Sequence, residues 1–394
     1  MKRVRLAVFW CHLVVGAVVG LVVLVMSVTG VLLTYQRQMT AWADARALDA
    51  RPRPASGARL PLDSLLARVR VTEPGVPTAV TWRSAPDDAP VEVAFGRERT
   101  LFVDGATGTV LGEGSTRARA FFRTVTDWHR WLGARGETRS TGKAITGAAN
   151  LGFLFLVTSG FYLWWPRSWT PSAIRNVAIF RRGLRGKARD FNWHHVIGLW
   201  SAVPLFLVVL SGVVISYPWA TALAYRAAGD RPPPAARPRP TGGDGARVPL
   251  GNIDEHRARA EQRFPGWRSI TLQLTGNGSP GVTFALDGGT GGQPQERAQL
   301  TLDGATGREL RWEPFATGTP GRRLRSILRF THTGEVLGPA GQTVAGLVSL
   351  GAVVLVWTGL ALSWRRLAAW RGRRRTRDAA RPRGAVRSRT ERAA

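Results

Sequence analysis

Residues 194–217 read HHVIGLWSAVPLFLVVLSGVVISY, a run without a permanently charged side chain. An α-helix rises about 1.5 Å per residue, so a helix of this length crosses the roughly 30 Å hydrocarbon core of a bilayer. Three further runs of similar length and composition occur along the chain. We therefore predict a mainly α-helical membrane protein with four transmembrane helices. They lie in segments 1–35, 142–166, 194–217 and 338–364.

The charge of the chain is strongly positive. Its formal net charge is +29 over 394 residues, almost all of it from Arg. The basic residues flank the apolar runs rather than forming a basic domain, which argues against nucleic-acid binding. The N-terminus, loop 167–193 and tail 365–394 are all basic, so the positive-inside rule places them and both termini in the cytoplasm. We expect the tail to be disordered and drawn to anionic lipid.

The two long segments, 36–141 and 218–337, then face outward. Each contains one short helical pattern followed by alternating apolar runs, which is typical of a small α+β domain. We expect residues 228–247, rich in Pro, Gly and Arg, to form a linker. His256 falls on the predicted helix of the second segment, and we expect it to be exposed.

The two halves of the sequence repeat each other. The turn sequence Asp104–Gly108 recurs as Asp303–Gly307, 199 residues later. Two histidines also each precede a glycine by 18 residues. Such repeats indicate an internal duplication, and duplicated bundles commonly hold their sites between the halves. The two spaced pairs are His12 with Gly30 and His194 with Gly212.

Histidines lie at the ends of all four predicted spans. His12 and the pair His194-His195 lie on the cytoplasmic side, whereas His129 and His332 precede spans two and four on the outer side. Ionisable residues at such places indicate function, and neutral imidazole is a good axial ligand for haem iron between facing helices. Eighteen residues separate the two levels by about 27 Å of helix. The inner site therefore pairs His12 with His194 or His195, and the outer site pairs His129 with His332.

Other kinds of site are less well supported. Zinc would need more thiolates, carboxylates or imidazoles near these histidines. The chain has no phosphate-cradling glycine loop and no dinucleotide fingerprint. Since this leaves no flavin or NAD(P)H domain in the chain, a haem protein of this kind would receive its electrons from a separate cytoplasmic or membrane donor. No catalytic residue can be named from the sequence.

Several of these motifs together resemble the PepSY-associated transmembrane proteins of bacteria. The combination covers most of the chain. The stretches that carry the resemblance are His12–Gly16 with Thr29-Gly30, Trp128–Gly133, Ser159–Arg167, His194–Trp200, His332-Thr333-Gly334 and Thr358-Gly359.

The resemblance implies a multi-pass protein of the bacterial inner (plasma) membrane with two periplasmic PepSY-like domains. Members of this family include ferric-siderophore reductases that bind two b-type haems. The family pattern would place the haem-iron ligands at His12, His194, His129 and His332. His195 stands where the family usually has a basic residue, so His195 stays an alternative to His194.

We therefore predict a transmembrane di-haem electron-transfer protein that reduces a ferric siderophore or another iron chelate outside the membrane. One alternative is a haem-free PepSY module that binds or regulates a periplasmic partner. Another is a transporter subunit, suggested by the repeat and the charge pattern. A haem spectrum would separate the first hypothesis from both alternatives.

Overall fold

The structure is a computed structural model of the full chain and describes most of its residues. Long helices and one antiparallel sheet make up the described part. The described residues are 2–49, 58–86, 89–96, 99–166, 170–234, 252–274 and 281–379.

Within these ranges the chain forms eleven α-helices. Four of them are long and apolar enough to cross a membrane, at the places where the sequence predicted spans. In chain order the helices are α1 (Lys2–Leu33), α2 (Gln36–Asp49), α3 (Leu62–Thr72), α4 (Thr116–Trp131), α5 (Arg139–Trp164), α6 (Pro171–Ala178), α7 (Gly186–Ser216), α8 (Pro218–Ala227), α9 (Ile253–Arg263), α10 (Pro320–His332) and α11 (Gly338–Ala379).

The four long helices α1, α5, α7 and α11 form a bundle. Helix α1 packs between α5 and α11, and α7 packs between the same two helices on the far side. Arg5, near the start of α1, donates a hydrogen bond to the Leu163 carbonyl at the end of α5, so these two helices run in opposite directions. Large apolar side chains such as Val18, Trp200 and Leu347 are left exposed on the outside. Such a surface suits lipid rather than water.

In the described part of the chain, eight strands form a single antiparallel sheet at one end of the bundle. The strand order across the sheet is β4-β3-β2-β1-β5-β6-β7-β8. The strands are β1 (Ala79–Arg83), β2 (Val91–Phe95), β3 (Arg99–Val103), β4 (Val110–Gly112), β5 (Ser269–Gln273), β6 (Gly281–Asp287), β7 (Arg297–Asp303) and β8 (Glu309–Pro314).

The sequence predicted two separate outer domains, whereas the structure joins them into one sheet. Strand β1 pairs with β5, with Val80 opposite Leu272 and Thr81 opposite Thr271. Both apolar side chains are fully buried, and the two threonine hydroxyls lie 2.9 Å apart. Each strand would otherwise leave a row of backbone groups unpaired at an edge, so pairing satisfies both. One hydrophobic core serves both halves.

Both halves supply the same elements in the same order. Helix α3 precedes β1–β4, and α9 precedes β5–β8. In the turn after β3, Asp104 Oδ1 accepts the backbone N–H of Ala106 and of Thr107. Asp303 Oδ1 accepts the equivalent bonds after β7. The shared Asp-Gly-Ala-Thr-Gly sequence therefore forms the same turn twice.

Two amphipathic helices connect the sheet to the bundle. Helix α4 packs on α1 and α5, and α10 packs on α7 and α8. The hydroxyls of Ser115 and Thr319 cap the first turns of α4 and α10, and Pro320 occupies the first position of α10. Helix α4 ends where Leu132 adopts a left-handed conformation. His129 and His332 lie in the last turns of these two helices.

The last long helix is longer than predicted. The sequence placed the end of span four at residue 364 and expected disorder from there to residue 394. Helix α11 instead continues to Ala379, because its Arg and Ala residues are good helix formers with no intervening Pro. Residues 380–394 lie outside the described part, as do residues 235–251, which include most of the predicted linker 228–247.

Candidate functional site

Five of the histidines lie at the two ends of the bundle. We call the end that carries Arg5, Lys187 and Arg365 the basic end, and the end beside α4, α10 and the sheet the sheet end. His12, on α1, and the pair His194-His195, on α7, lie at the basic end. His129 and His332 meet at the sheet end.

A large cavity opens between the four long helices at the basic end. Its volume is about 1140 Å³, and it is lined by His12, His194 and His195 together. The rest of the lining is mostly apolar, with basic side chains among it. Small residues on all four helices widen the cavity, namely Gly16, Gly20, Gly160, Gly198 and Gly359. The structure thus brings both predicted inner histidines to one space that a flat ligand could enter.

His12 is held by the neighbouring helix α5. Its Nδ1 lies 2.9 Å from Ser159 Oγ. The next residue, Gly160, makes room for the ring, because a Cβ there would lie 3.3 Å from His12 Cε1. The Ser-Gly pair therefore supplies both a hydrogen-bond partner and a gap for the imidazole.

His194 is held in the same way by α11. Its Nδ1 lies 3.0 Å from Thr358 Oγ1, and a Cβ at Gly359 would lie 3.3 Å from its Cε1. His195 has no such partner on another helix among the described residues. Its Nδ1 bonds the Phe191 carbonyl one turn back on its own helix, at 3.0 Å. The contacts of His194 match those of His12, and those of His195 do not.

His129 approaches α1 at the sheet end. Its Nδ1 lies 2.9 Å from Thr29 Oγ1, and a Cβ at Gly30 would lie 3.6 Å from its Cε1. Gly30 is the glycine 18 residues after His12. Helix α1 therefore carries one histidine at the basic end and receives another at the sheet end.

His332 approaches α7 at the same level. Its Nδ1 lies 2.9 Å from the Val208 carbonyl and 3.5 Å from Ser211 Oγ. A Cβ at Gly212 would lie 3.1 Å from its Cε1. Gly212 is the glycine 18 residues after His194. The two equal His-to-Gly spacings in the sequence therefore correspond to equivalent contacts, because Gly30 and Gly212 each make room for a histidine at the sheet end.

The two sheet-end rings face each other at close range. The ring centroids of His129 and His332 are 6.2 Å apart, with 55° between the ring planes. Withdrawal from water lowers the pKa of His129 to about 4, and the neighbouring His332 adds to the effect. Withdrawal from water also lowers the pKa of His332. Burial thus favours the neutral form of both rings, which is the form that binds metals.

His256 is buried, which corrects the expectation that it is exposed. It is 2% exposed, and its Nε2 lies 3.2 Å from the Gly304 carbonyl. Ile253 and Ala260, on the same face of α9, are buried as well. The ring therefore holds the Asp303 turn against α9, away from both ends of the bundle.

Sequence reasoning gave no role to the hydroxyl residues beside the four histidines. Thr29, Ser159 and Thr358 entered it only within the stretches that carry the family resemblance, and Ser211 only as part of an apolar span. One signal was available, because each of them directly precedes one of the glycines that make room for a ring. The recurring Ser/Thr-Gly pair marks the places where the histidines dock.

No curated protein matches this chain. The family model described as PepSY-associated TM region matches residues 9–366, which is most of the chain and includes the sheet, all of α5 and α7 and most of α1 and α11. The chain belongs to the PepSY-associated TM region family.

Proposed function

We propose that this chain is a di-haem electron-transfer protein of the bacterial inner membrane that reduces ferric chelates on the outer side. The observation that carries the proposal is the presence of two histidine pairs, one at each end of one bundle. His12 and His194 share the cavity at the basic end, and His129 faces His332 at the sheet end. Haem sites between facing helices are built in this way.

The sheet-end pair fits a single metal atom held between two imidazoles. Two imidazoles that bound one metal atom would each lie about 2.0–2.1 Å from it through one ring nitrogen, which requires the two rings to be close neighbours. The observed separation of His129 and His332 is 6.2 Å. The Nδ1 of each ring is occupied by Thr29 or by the Val208 carbonyl, so Nε2 is the nitrogen left to bind.

The donor set favours a macrocycle over a bare ion. Within the described residues, no group of three or more His, Cys, Asp or Glu could hold a metal ion. Structural zinc sites almost always have four protein ligands, whereas haem supplies four of the iron ligands itself and needs only two axial imidazoles. The glycine-lined cavity at the basic end has room for such a flat group beside His12 and His194.

Haem b at both ends would supply one-electron exchange at two depths of the membrane. His12 and His194 would hold the inner group, and His129 and His332 the outer one. Eighteen residues, or about 27 Å of helix, separate the two levels along α1 and along α7. Buried apolar side chains, among them Val209, Val348 and Ala352, pack together within the bundle.

The distribution of basic residues supports an orientation of the bundle in the membrane. The internal repeat supports PepSY-like units in the outer region. The basic end carries Arg5, Lys187, Arg365, Arg366 and Arg373, which supports a cytoplasmic position for that end and for both termini. The sheet then lies in the periplasm. Its two halves share element order and turn geometry, which supports PepSY-like units related by duplication.

An anionic iron chelate suits the outer surface. Arg130 follows His129 directly, and its guanidinium and that of Arg139 lie 4.7 and 3.5 Å from the centroid of the Trp131 ring. This positive surface beside the outer pair would attract a negatively charged complex. Reduction then frees the iron, because hard oxygen ligands hold the ferrous ion less tightly than the ferric ion.

The function can be tested with the full chain in liposomes that contain a reductant. A ferric chelate and a chromogenic ferrous trap are added outside. We expect ferrous iron to appear outside with the wild type and not with His332→Ala, whereas His256→Ala should keep the activity. Equal rates from wild type, His332→Ala and protein-free liposomes would refute the proposal.

A further inference from the structure

Three of the hydroxyls that contact the histidines donate a hydrogen bond to a carbonyl of their own helix. Thr29 Oγ1 donates to the Val25 carbonyl at 2.7 Å. Thr358 Oγ1 donates in the same way to the Val354 carbonyl, also at 2.7 Å. These carbonyls lie one helical turn back and can only accept a hydrogen bond. Ser159 Oγ makes the equivalent bond to the Phe155 carbonyl at 2.6 Å.

A hydroxyl has one proton and two lone pairs. Since its proton is used within its own helix, each hydroxyl can only accept from the histidine that it contacts. In that arrangement the histidine Nδ1 carries the hydrogen, and Nε2 is the bare nitrogen. The neighbouring helix thereby favours one tautomer of His12, His129 and His194 before any ligand binds.

His332 reaches the same tautomer by a different route. Its Nδ1 lies 2.9 Å from the Val208 carbonyl, which can only accept. Ser211 Oγ donates to that same carbonyl at 2.7 Å and is 3.5 Å from the ring nitrogen. The 3.5 Å between Ser211 Oγ and His332 Nδ1 is too long for a good hydrogen bond. Ser211 therefore occupies the equivalent place in the sequence without making the equivalent contact.

We propose that Thr358, Ser159 and Thr29 are positioning residues that aim the Nε2 of their histidines at the bound iron and lower the reduction potential of the haem, whereas Ser211 has no such role. The proposal rests on the proposed function. A hydrogen bond from Nδ1 makes imidazole a stronger donor, and stronger donors favour the ferric state. Removing the acceptor should raise the potential of that haem alone.

Thr358→Val is the most direct test, because valine keeps the shape of threonine and lacks the hydroxyl. Thr358→Ser keeps the hydroxyl and serves as the matched rescue. Ser211→Ala removes a hydroxyl from the equivalent position, where it donates to the Val208 carbonyl and makes no good hydrogen bond to His332. The readouts are a redox titration of the purified full chain, followed by absorbance, and the haem retained through purification.

We expect Thr358→Val to raise one of two midpoint potentials, the one that disappears in His194→Ala, and to weaken haem retention by about 10- to 100-fold. Thr358→Ser and Ser211→Ala should match the wild type. If Thr358→Val loses its haem, recovery in Thr358→Ser supports the proposal, and no recovery overturns it. Thr29→Val should act on the other haem.

Two outcomes would overturn the inference in distinguishable ways. If the wild type carries two haems and Thr358→Val keeps both midpoints, the positioning role is wrong and the proposed function stands. If the haem-replete wild type is folded and colourless, the proposed function fails and this inference fails with it. A shift in Ser211→Ala as large as that in Thr358→Val would also contradict the distinction drawn between them.

Discussion

At the scale of single residues, the candidate site depends on what stands next to each histidine. A hydroxyl or carbonyl occupies Nδ1, and a glycine leaves room for the ring. His195 lies in the same cavity and differs, because its Nδ1 bonds the Phe191 carbonyl of its own helix rather than a group on a neighbouring helix. His194 therefore has the better claim to the inner site than His195.

Gly359→Val tests the steric half of this arrangement. The nearest contact of an added Cβ would be His194 Cε1 at 3.3 Å, so the larger valine side chain would displace the ring. We expect loss of the inner haem with the outer one retained, measured by haem quantification and spectra. The control is Gly372→Val on the same helix, where no atom lies within 4 Å of the added Cβ. Equal haem content in both variants would show that the close approach is unimportant.

His256→Ala separates a structural histidine from the four candidate ligands. The ring is buried and lies at hydrogen-bonding distance from the Gly304 carbonyl, so its loss leaves a cavity and an unsatisfied acceptor. We expect a loss of about 1–3 kcal/mol in stability, measured by thermal unfolding. The haem spectrum should not change. A changed spectrum in a folded variant would contradict the position of His256 in the sheet core.

At the scale of elements, the sequence predicted the parts better than their assembly. The apolar runs gave four long helices, and the alternating runs gave most of the strands, because periodicity is a local signal. The β1–β5 pairing joins residues about 190 positions apart, and no local pattern predicts it. His256 could have been assigned correctly, since it shares the helical face of Ile253 and Ala260.

The shared sheet predicts that the two outer halves unfold together. Leu272 on β5 is fully buried at the junction with β1, so Leu272→Ala should cost about 2–5 kcal/mol. We expect protease-sensitive sites in both halves to become exposed in one transition at a lower temperature. Val71→Ala, at an exposed position of α3, is the control. Separate transitions for the two halves would contradict a common core.

At the scale of the whole molecule, the account needs the two ends of the bundle on opposite sides of the membrane. Thr116, at the start of α4, and Ser172, on α6, are both exposed and belong to opposite ends. In a background with Cys11 replaced by Ser, a membrane-impermeant thiol reagent should label Thr116→Cys in intact cells. It should label Ser172→Cys only after lysis. Labelling of Ser172→Cys in intact cells would reverse the proposed direction of electron flow.

The most direct measurement of the central claim is the reduced-minus-oxidised spectrum and haem content of the purified full chain and two single variants. We expect about two b-type haems per wild-type chain, because a pair of candidate histidines lies at each end of the bundle and two imidazoles could hold one haem iron. His12→Ala should lose the inner component alone, and His332→Ala the outer component alone. A folded, haem-replete chain without colour would contradict the account, as would two variants that lose the same component.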